Sequence, residues 1–249
     1  MISSICTFHD DLRAILLDLD DTIITDDAIS EKIWREVCQR FAHQFGGIRA
    51  ATLYDSIKSV SKCYWSDHEN HRKGHLNLKE TRRELVRLTL HNMGFNNHDD
   101  LAYIISDTYT AEKEAATALI PGAIEALCYF KDIGLGLALV TNGGSGIQRG
   151  KINRFGLNSI FDFILVEGEF GIGKPHPSVF TAAMEKLNVD VSHTWMVGDD
   201  LERDIAGAQN LGIYSIWIDW RGSGIPLSSV VRPDHTVRSI TQLTEENQK

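Results

Sequence analysis

The chain has 249 residues, 43% of them hydrophobic and 24% charged, and a formal net charge of −9. Such a chain suits one large globular domain, or a core with a smaller insert, that buries a sizeable interior. The acidity argues against general binding to nucleic acid or to an anionic membrane, but leaves room for a small anionic substrate at a locally positive site.

The N-terminal "MISSICTFHDDLRA" has no basic segment leading into an apolar core, so no signal peptide is expected. No run reaches the ~18 apolar residues of a membrane span. Cys6, Cys38, Cys63 and Cys128 are scattered without a CxxC pair, which fits a reducing, cytoplasmic setting better than a disulfide framework or zinc ribbon.

The first predicted element is a buried strand at 13–19, "RAILLDL". Helical patterns then follow without a convincing strand, at 30–45, 51–65, 79–94 and 99–116. Beyond them, helix and strand alternate. "PGAIEALCYFKDIG" (121–134) is bounded by proline and glycine and is expected to be a helix. Strands are expected at 134–142, 161–168, 194–199 and 213–219, and helices at 176–189 and 201–212. The final "TEENQK" is expected to fray. This order predicts an α/β fold. Residues 1–25 and 116–249 form a doubly wound, Rossmann-like parallel sheet core, and residues 26–115 form an inserted all-helical cap.

Four groups of polar residues fall at predicted carboxyl ends of strands, where such sheets bind ligands. Asp18 and Asp20 lie two apart on extended backbone and so face one side. Thr141-Asn142-Gly143-Gly144 opens a glycine-rich turn of the kind that presents N–H groups to anions. Lys174 stands before a proline and a helix, and Gly198-Asp199-Asp200 with Asp204 forms a second acidic cluster. Carboxylates from two strand ends can hold a hard cation such as Mg²⁺. A lysine, a hydroxyl and loop amides can hold phosphate, and an aspartate beside them can attack phosphorus.

The ordered set Asp18-x-Asp20-x-Thr22, Thr141-Asn142, Lys174-Pro175 and Gly198-Asp199-Asp200-x3-Asp204 resembles the haloacid dehalogenase superfamily of phosphohydrolases. With the flanking core it accounts for about two-thirds of the chain, and the rest falls where that family carries a helical cap. The resemblance implies a Mg²⁺-dependent phosphatase. Asp18 would be the nucleophile and Asp20 the general acid and base. Asp18, the backbone carbonyl of Asp20, and Asp199 would hold Mg²⁺. Thr141 and Lys174, with Asn142 as a further candidate, would bind the phosphoryl group. Asn142 has loop stabilisation as its alternative role, and Asp200 and Asp204 are alternatives for a contact to metal-bound water. Asp21, on the opposite side, is left to shape the turn. The substrate would be a small phosphorylated metabolite such as a sugar phosphate, a nucleoside monophosphate or phosphoglycolate, with the cap closing over it.

Other readings share this scaffold. A 2-haloacid dehalogenase would use Asp18 without metal and leave Asp20 idle. A sugar-phosphate mutase would differ mainly in the cap. A phosphate-responsive binding module would not need Asp20 and Lys174 together. His68, His71 and His75 have zinc-like helical spacing, but Gly74 interrupts it and no cysteine completes a set, so a solvated or cap-lining cluster is the better reading. Arg72, Arg82 and Arg83 fit a charged helix face, with contact to the leaving group as the alternative. Tyr64 and Trp65 read as cap core.

Overall fold

A computed structural model describes residues 11–247, without the side chains of His68, His71, Arg72 and 245–247. The chain divides into two units, Met1–Thr25 with Ala118–Lys249, and Asp26–Thr117.

The first unit is built on six parallel strands. They are β1 (Ala14–Leu17), then, beyond the helical insert, β2 (Gly136–Thr141), β3 (Phe163–Val166), β4 (Thr194–Gly198), β5 (Tyr214–Ile218) and β6 (His235–Val237). Their order is β3-β2-β1-β4-β5-β6, with Leu17 of β1 opposite both Leu139 and Val197. A fully parallel sheet is covered on both faces, so its central strands are apolar throughout. Alternation along each strand then splits the core. Ile15, Leu17, Leu137, Leu139, Trp195 and Val197 pack on one side, where Leu127 and Phe130 cover them. Leu16, Ala138, Val140 and Met196 pack on the other, against Val179, Phe180 and Ala183. The fold is the doubly wound α/β architecture read from the sequence.

The second unit contains α1 (Asp27–Phe41), α2 (Ala50–Trp65), α3 (His68–Leu76), α4 (Leu78–Asn92) and α5 (Asp99–Ala116). Ile33, Val37, Leu53, Ile57, Val86, Leu90 and Ile105 form its core. The Trp34 and Tyr109 rings stack at 3.8 Å, and a largely buried ion pair joins Lys113 to Asp26 at 2.6 Å. None of the helices in the described residues is long and apolar enough to cross a membrane.

In the first unit the helices are α6 (Ala123–Asp132), α7 (Ser145–Arg154), α8 (Glu167–Phe170), α9 (Pro177–Leu187), α10 (Gly207–Gln209) and α11 (Thr241–Asn247). The sequence reading contains neither β6 nor α7, and three further features differ from it. The helix expected over 201–212 begins as a π-helical turn at Leu201–Ala206. The strand expected over 161–168 stops at Val166, where α8 begins. Most of the expected frayed tail lies in α11, while 248–249 fall outside the described residues.

Candidate active site

Asp18 follows β1 and Asp199 follows β4, at the point where the chain switches from one side of β1 to the other. Open α/β sheets bind ligands at that crevice. The Asp18 N–H donates to the Val197 carbonyl at 3.0 Å, so the ladder carries Asp18 to the sheet edge before the chain turns. Asp21 adopts φ +56 in that turn, with its N–H on Ile24 O at 2.7 Å.

Lys174 joins the motifs. Its side chain is 2% exposed, and Nζ lies 2.5 Å from Asp18 Oδ1 and 2.7 Å from Asp204 Oδ1. Its backbone is bracketed by Asn142, whose Oδ1 accepts from Lys174 N–H and whose Nδ2 donates to Lys174 O, both at 2.8 Å. The Lys174–Pro175 peptide is cis. The close approach depends on Gly173, because a Cβ there would lie 2.6 Å from Asn142 Oδ1. The sequence reading gives Asn142 two alternatives, phosphate contact or loop stabilisation. The structure engages both ends of its amide in a brace between two loops.

Asp204 reaches the cluster through the π-helical turn, a feature that often appears at functional sites. Its Oδ2 accepts the Asp200 N–H at 3.1 Å. A Cβ on Gly198 would fall on the Asp204 carboxylate, so only glycine admits this approach. Asp200 instead caps the turn: it accepts N–H groups from Glu202 and Arg203 and pairs with the Arg203 guanidinium.

Among the described residues Asp18, Asp199 and Asp204 form a set whose ligand oxygens lie within 4.8 Å of one another. The Asp20 carboxylate is outside that set, and the sequence reading assigns the ion the Asp20 backbone carbonyl rather than this side chain. It meets Lys151 Nζ at 2.6 Å and Gln148 Nε2 at 3.0 Å. Gln148 Nε2 also donates to Thr141 Oγ1 at 2.6 Å. Sequence reasoning missed Gln148, Lys151 and Trp220, whose indole N–H donates to Asp199 Oδ2 at 3.3 Å.

The electrostatics of the cluster fit a cation. Burial, with Asp204 and Asp20 nearby and despite Lys174, raises Asp18 to about 7. Burial and the charges of Asp18, Asp204, Asp21 and Asp200 raise Asp199 to about 9. Burial also raises Asp204, against the pull of Lys174. Lys174 is held above its ordinary value because Asp18 and Asp204 outweigh the effect of its burial. Asp200, half-buried, stays below the usual range through its ion pair with Arg203. Lys174 and Arg203 thus face four carboxylates, and an oxygen-seeking divalent ion would supply the missing charge.

Residues 12–212 match the haloacid dehalogenase-like hydrolase family. The chain belongs to that family. It is 28% identical over 209 residues to the glyceraldehyde 3-phosphate phosphatase of Pyrococcus abyssi, covering 84% of this chain and 82% of that one. It is 29% identical over 234 residues to the pyrimidine 5'-nucleotidase YjjG of Escherichia coli, covering 93% and 96%. The HAD-hydrolase YfnB of Bacillus subtilis superposes with a TM-score of 0.71 at 24% identity, covering 94% and 97%, which establishes the shared fold. In this haloacid dehalogenase-like chain Arg83 is engaged within the insert, paired with Asp107 and Glu80. Arg82 lies over the Tyr109 ring at 5.2 Å. The side chains of His68, His71 and Arg72, also singled out in the insert, lie outside the described residues.

Proposed function

We propose that this chain is a phosphatase that hydrolyses a small phosphate monoester through an aspartyl phosphate on Asp18. The observation that carries this reading is the buried Lys174 bridging Asp18 and Asp204, beside Asp199 at the sheet's switch point. The named relatives act on small phosphorylated compounds, glyceraldehyde 3-phosphate and pyrimidine nucleotides, and they support this substrate class.

Lys174 holds one oxygen of Asp18, which fixes the carboxylate plane for attack in line with the leaving oxygen. The Asp18–phosphorus bond forms as the ester P–O bond breaks. The electron pair of that bond stays on the leaving oxygen, which takes a proton from Asp20. Asp20 then takes a proton from water, and the resulting hydroxide attacks phosphorus and frees Asp18. Thr141 donates its hydroxyl to a phosphoryl oxygen, and Lys174 offsets the charge gathering on the transferred group. Asp18, Asp199 and Asp204, with the Asp20 carbonyl, would hold Mg²⁺. When bound, that ion neutralises phosphoryl oxygens and the carboxylate cluster together.

The test is hydrolysis of p-nitrophenyl phosphate and a panel of phosphate monoesters, with and without Mg²⁺. Wild type should turn over at least one of them only with Mg²⁺, and Asp18→Asn should lose that turnover by at least ~10³-fold. A wild-type protein inert on the whole panel would refute the phosphatase reading. Activity that survives in Asp18→Asn would remove the nucleophile assignment.

A further inference from the structure

The side chains of Gln148 and Lys151 are not explained by the fold. They stand one turn apart on α7, so they share a helix face. Gln148 is 2% exposed, and a buried glutamine needs partners for its amide. It donates both hydrogens of Nε2 to side chains, Thr141 Oγ1 at 2.6 Å and Asp20 Oδ2 at 3.0 Å. Lys151 Nζ takes the other oxygen of the same carboxylate, Oδ1, at 2.6 Å. One helix face therefore fixes both oxygens of Asp20 and the hydroxyl of Thr141.

Each bond has a directional consequence. A hydroxyl that accepts from Gln148 has its own hydrogen left to donate, and its contact with Asn142 O, at 3.5 Å, is long. Gln148 thus sets Thr141 as a donor, the polarity that an anionic oxygen requires. Lys151 on Oδ1 and Gln148 on Oδ2 hold the Asp20 carboxylate from both oxygens, and Gln148 ties it to Thr141 through one amide nitrogen. Without Lys151 the carboxylate would keep one weaker tether and could rotate about its terminal bond, which has a broad torsional well.

We propose that Gln148 and Lys151 are positioning residues, a paired brace on α7 that aims the proton-transferring carboxylate of Asp20 and the phosphate-binding hydroxyl of Thr141 at one phosphoryl group. The inference rests on the phosphatase reading above and adds to it two residues that act through others. It separates their effects: Lys151 acts on leaving-group protonation, whereas Gln148 acts on protonation and on phosphate binding.

Two aryl phosphates with different leaving groups distinguish these effects. Phenyl phosphate needs its leaving oxygen protonated far more than p-nitrophenyl phosphate, because phenolate is the stronger base. In Lys151→Met the ratio of kcat on phenyl phosphate to kcat on p-nitrophenyl phosphate should fall about tenfold, with KM for each probe within about threefold. Lys151→Arg keeps a cationic donor and should restore most of the ratio. Gln148→Met should lower the same ratio and also weaken inhibition by inorganic phosphate by about tenfold. If Gln148→Met misfolds, as judged by its melting curve, Gln148→Glu replaces it. That variant keeps the shape and removes the donor, and the same two losses are expected. Equal loss on both probes in Lys151→Met, or no rescue by arginine, would overturn the brace while leaving the phosphatase reading intact. Wild type inert on both probes and on the monoester panel would remove the underlying reading.

Discussion

At Lys174 an ammonium is kept almost entirely out of water because Asp18 and Asp204 replace its hydration. Removing one member of a buried ion pair leaves the others uncompensated, at a cost of about 3–5 kcal/mol. Lys174→Met is therefore expected to lose activity and also to melt well below wild type near pH 8. The deficit should shrink near pH 5, because Asp18 and Asp204, already raised by burial, then take up protons and need no cation. Lys174→Arg should rescue neither property, since a planar guanidinium does not fit the place of a point charge between two carboxylates. Thermal melts of the three proteins at the two pH values decide this; a deficit that does not change with pH would show that Lys174 acts through packing rather than charge.

The elements differ in how much of their role the sequence revealed. The strands of the central sheet are short apolar runs with sharp ends, and Asp18 and Asp199 could be placed at those ends from pattern alone. By contrast, α7 reads as a polar stretch, "SGIQRGKINR", with two glycines; only Gln148 and Ile152 are buried, so no apolar stripe reveals its face. β6 has three residues, too few for alternation to show. The turn at Leu201–Ala206 was legible as a helix but not as a π-helix, and the π geometry is what brings Asp204 to Lys174. Asp204 could therefore be named from its spacing, whereas its ion pair could not. Gly198 is the steric condition for that arrangement, because a Cβ there would also lie 2.7 Å from Asp204 Cβ. Gly198→Ala is expected to push the carboxylate away, cost about 1–3 kcal/mol of stability and weaken Mg²⁺ binding by about 10–100-fold. Calorimetric titration with Mg²⁺ measures the second effect. Wild-type affinity in Gly198→Ala would mean that Asp204 does not belong to the ion's surroundings.

For the whole chain, the cluster couples stability to pH and to metal. Asp18 at about 7 and Asp199 at about 9 hold protons more tightly when folded than at their ordinary value of 3.8, and Asp204 shifts the same way. Between those limits the folded state binds more protons than the unfolded state, so the slope of unfolding free energy with pH is negative. The stability these protons contribute is complete below about pH 4 and is lost as pH rises through about 7 to 9. Lys174, also raised, keeps its contribution across this window, and Asp200, lowered, loses its own only in acid. The metal-free protein should therefore melt lower at pH 8 than at pH 5. A tenfold difference in proton affinity between the folded and unfolded states is worth ~1.4 kcal/mol, and each kcal/mol moves the midpoint of a chain this size by about 2–4 °C, so the fall should reach several degrees. Mg²⁺ takes the place of the departing protons, and its stabilisation should grow over the same interval. Asp199→Asn isolates the cause. Removing one of the repelling carboxylates should make the metal-free variant more stable than wild type at pH 8, flatten the slope and abolish most of the Mg²⁺ effect. A Mg²⁺ shift that is equal at both pH values, or unchanged in Asp199→Asn, would place the ion elsewhere on the chain.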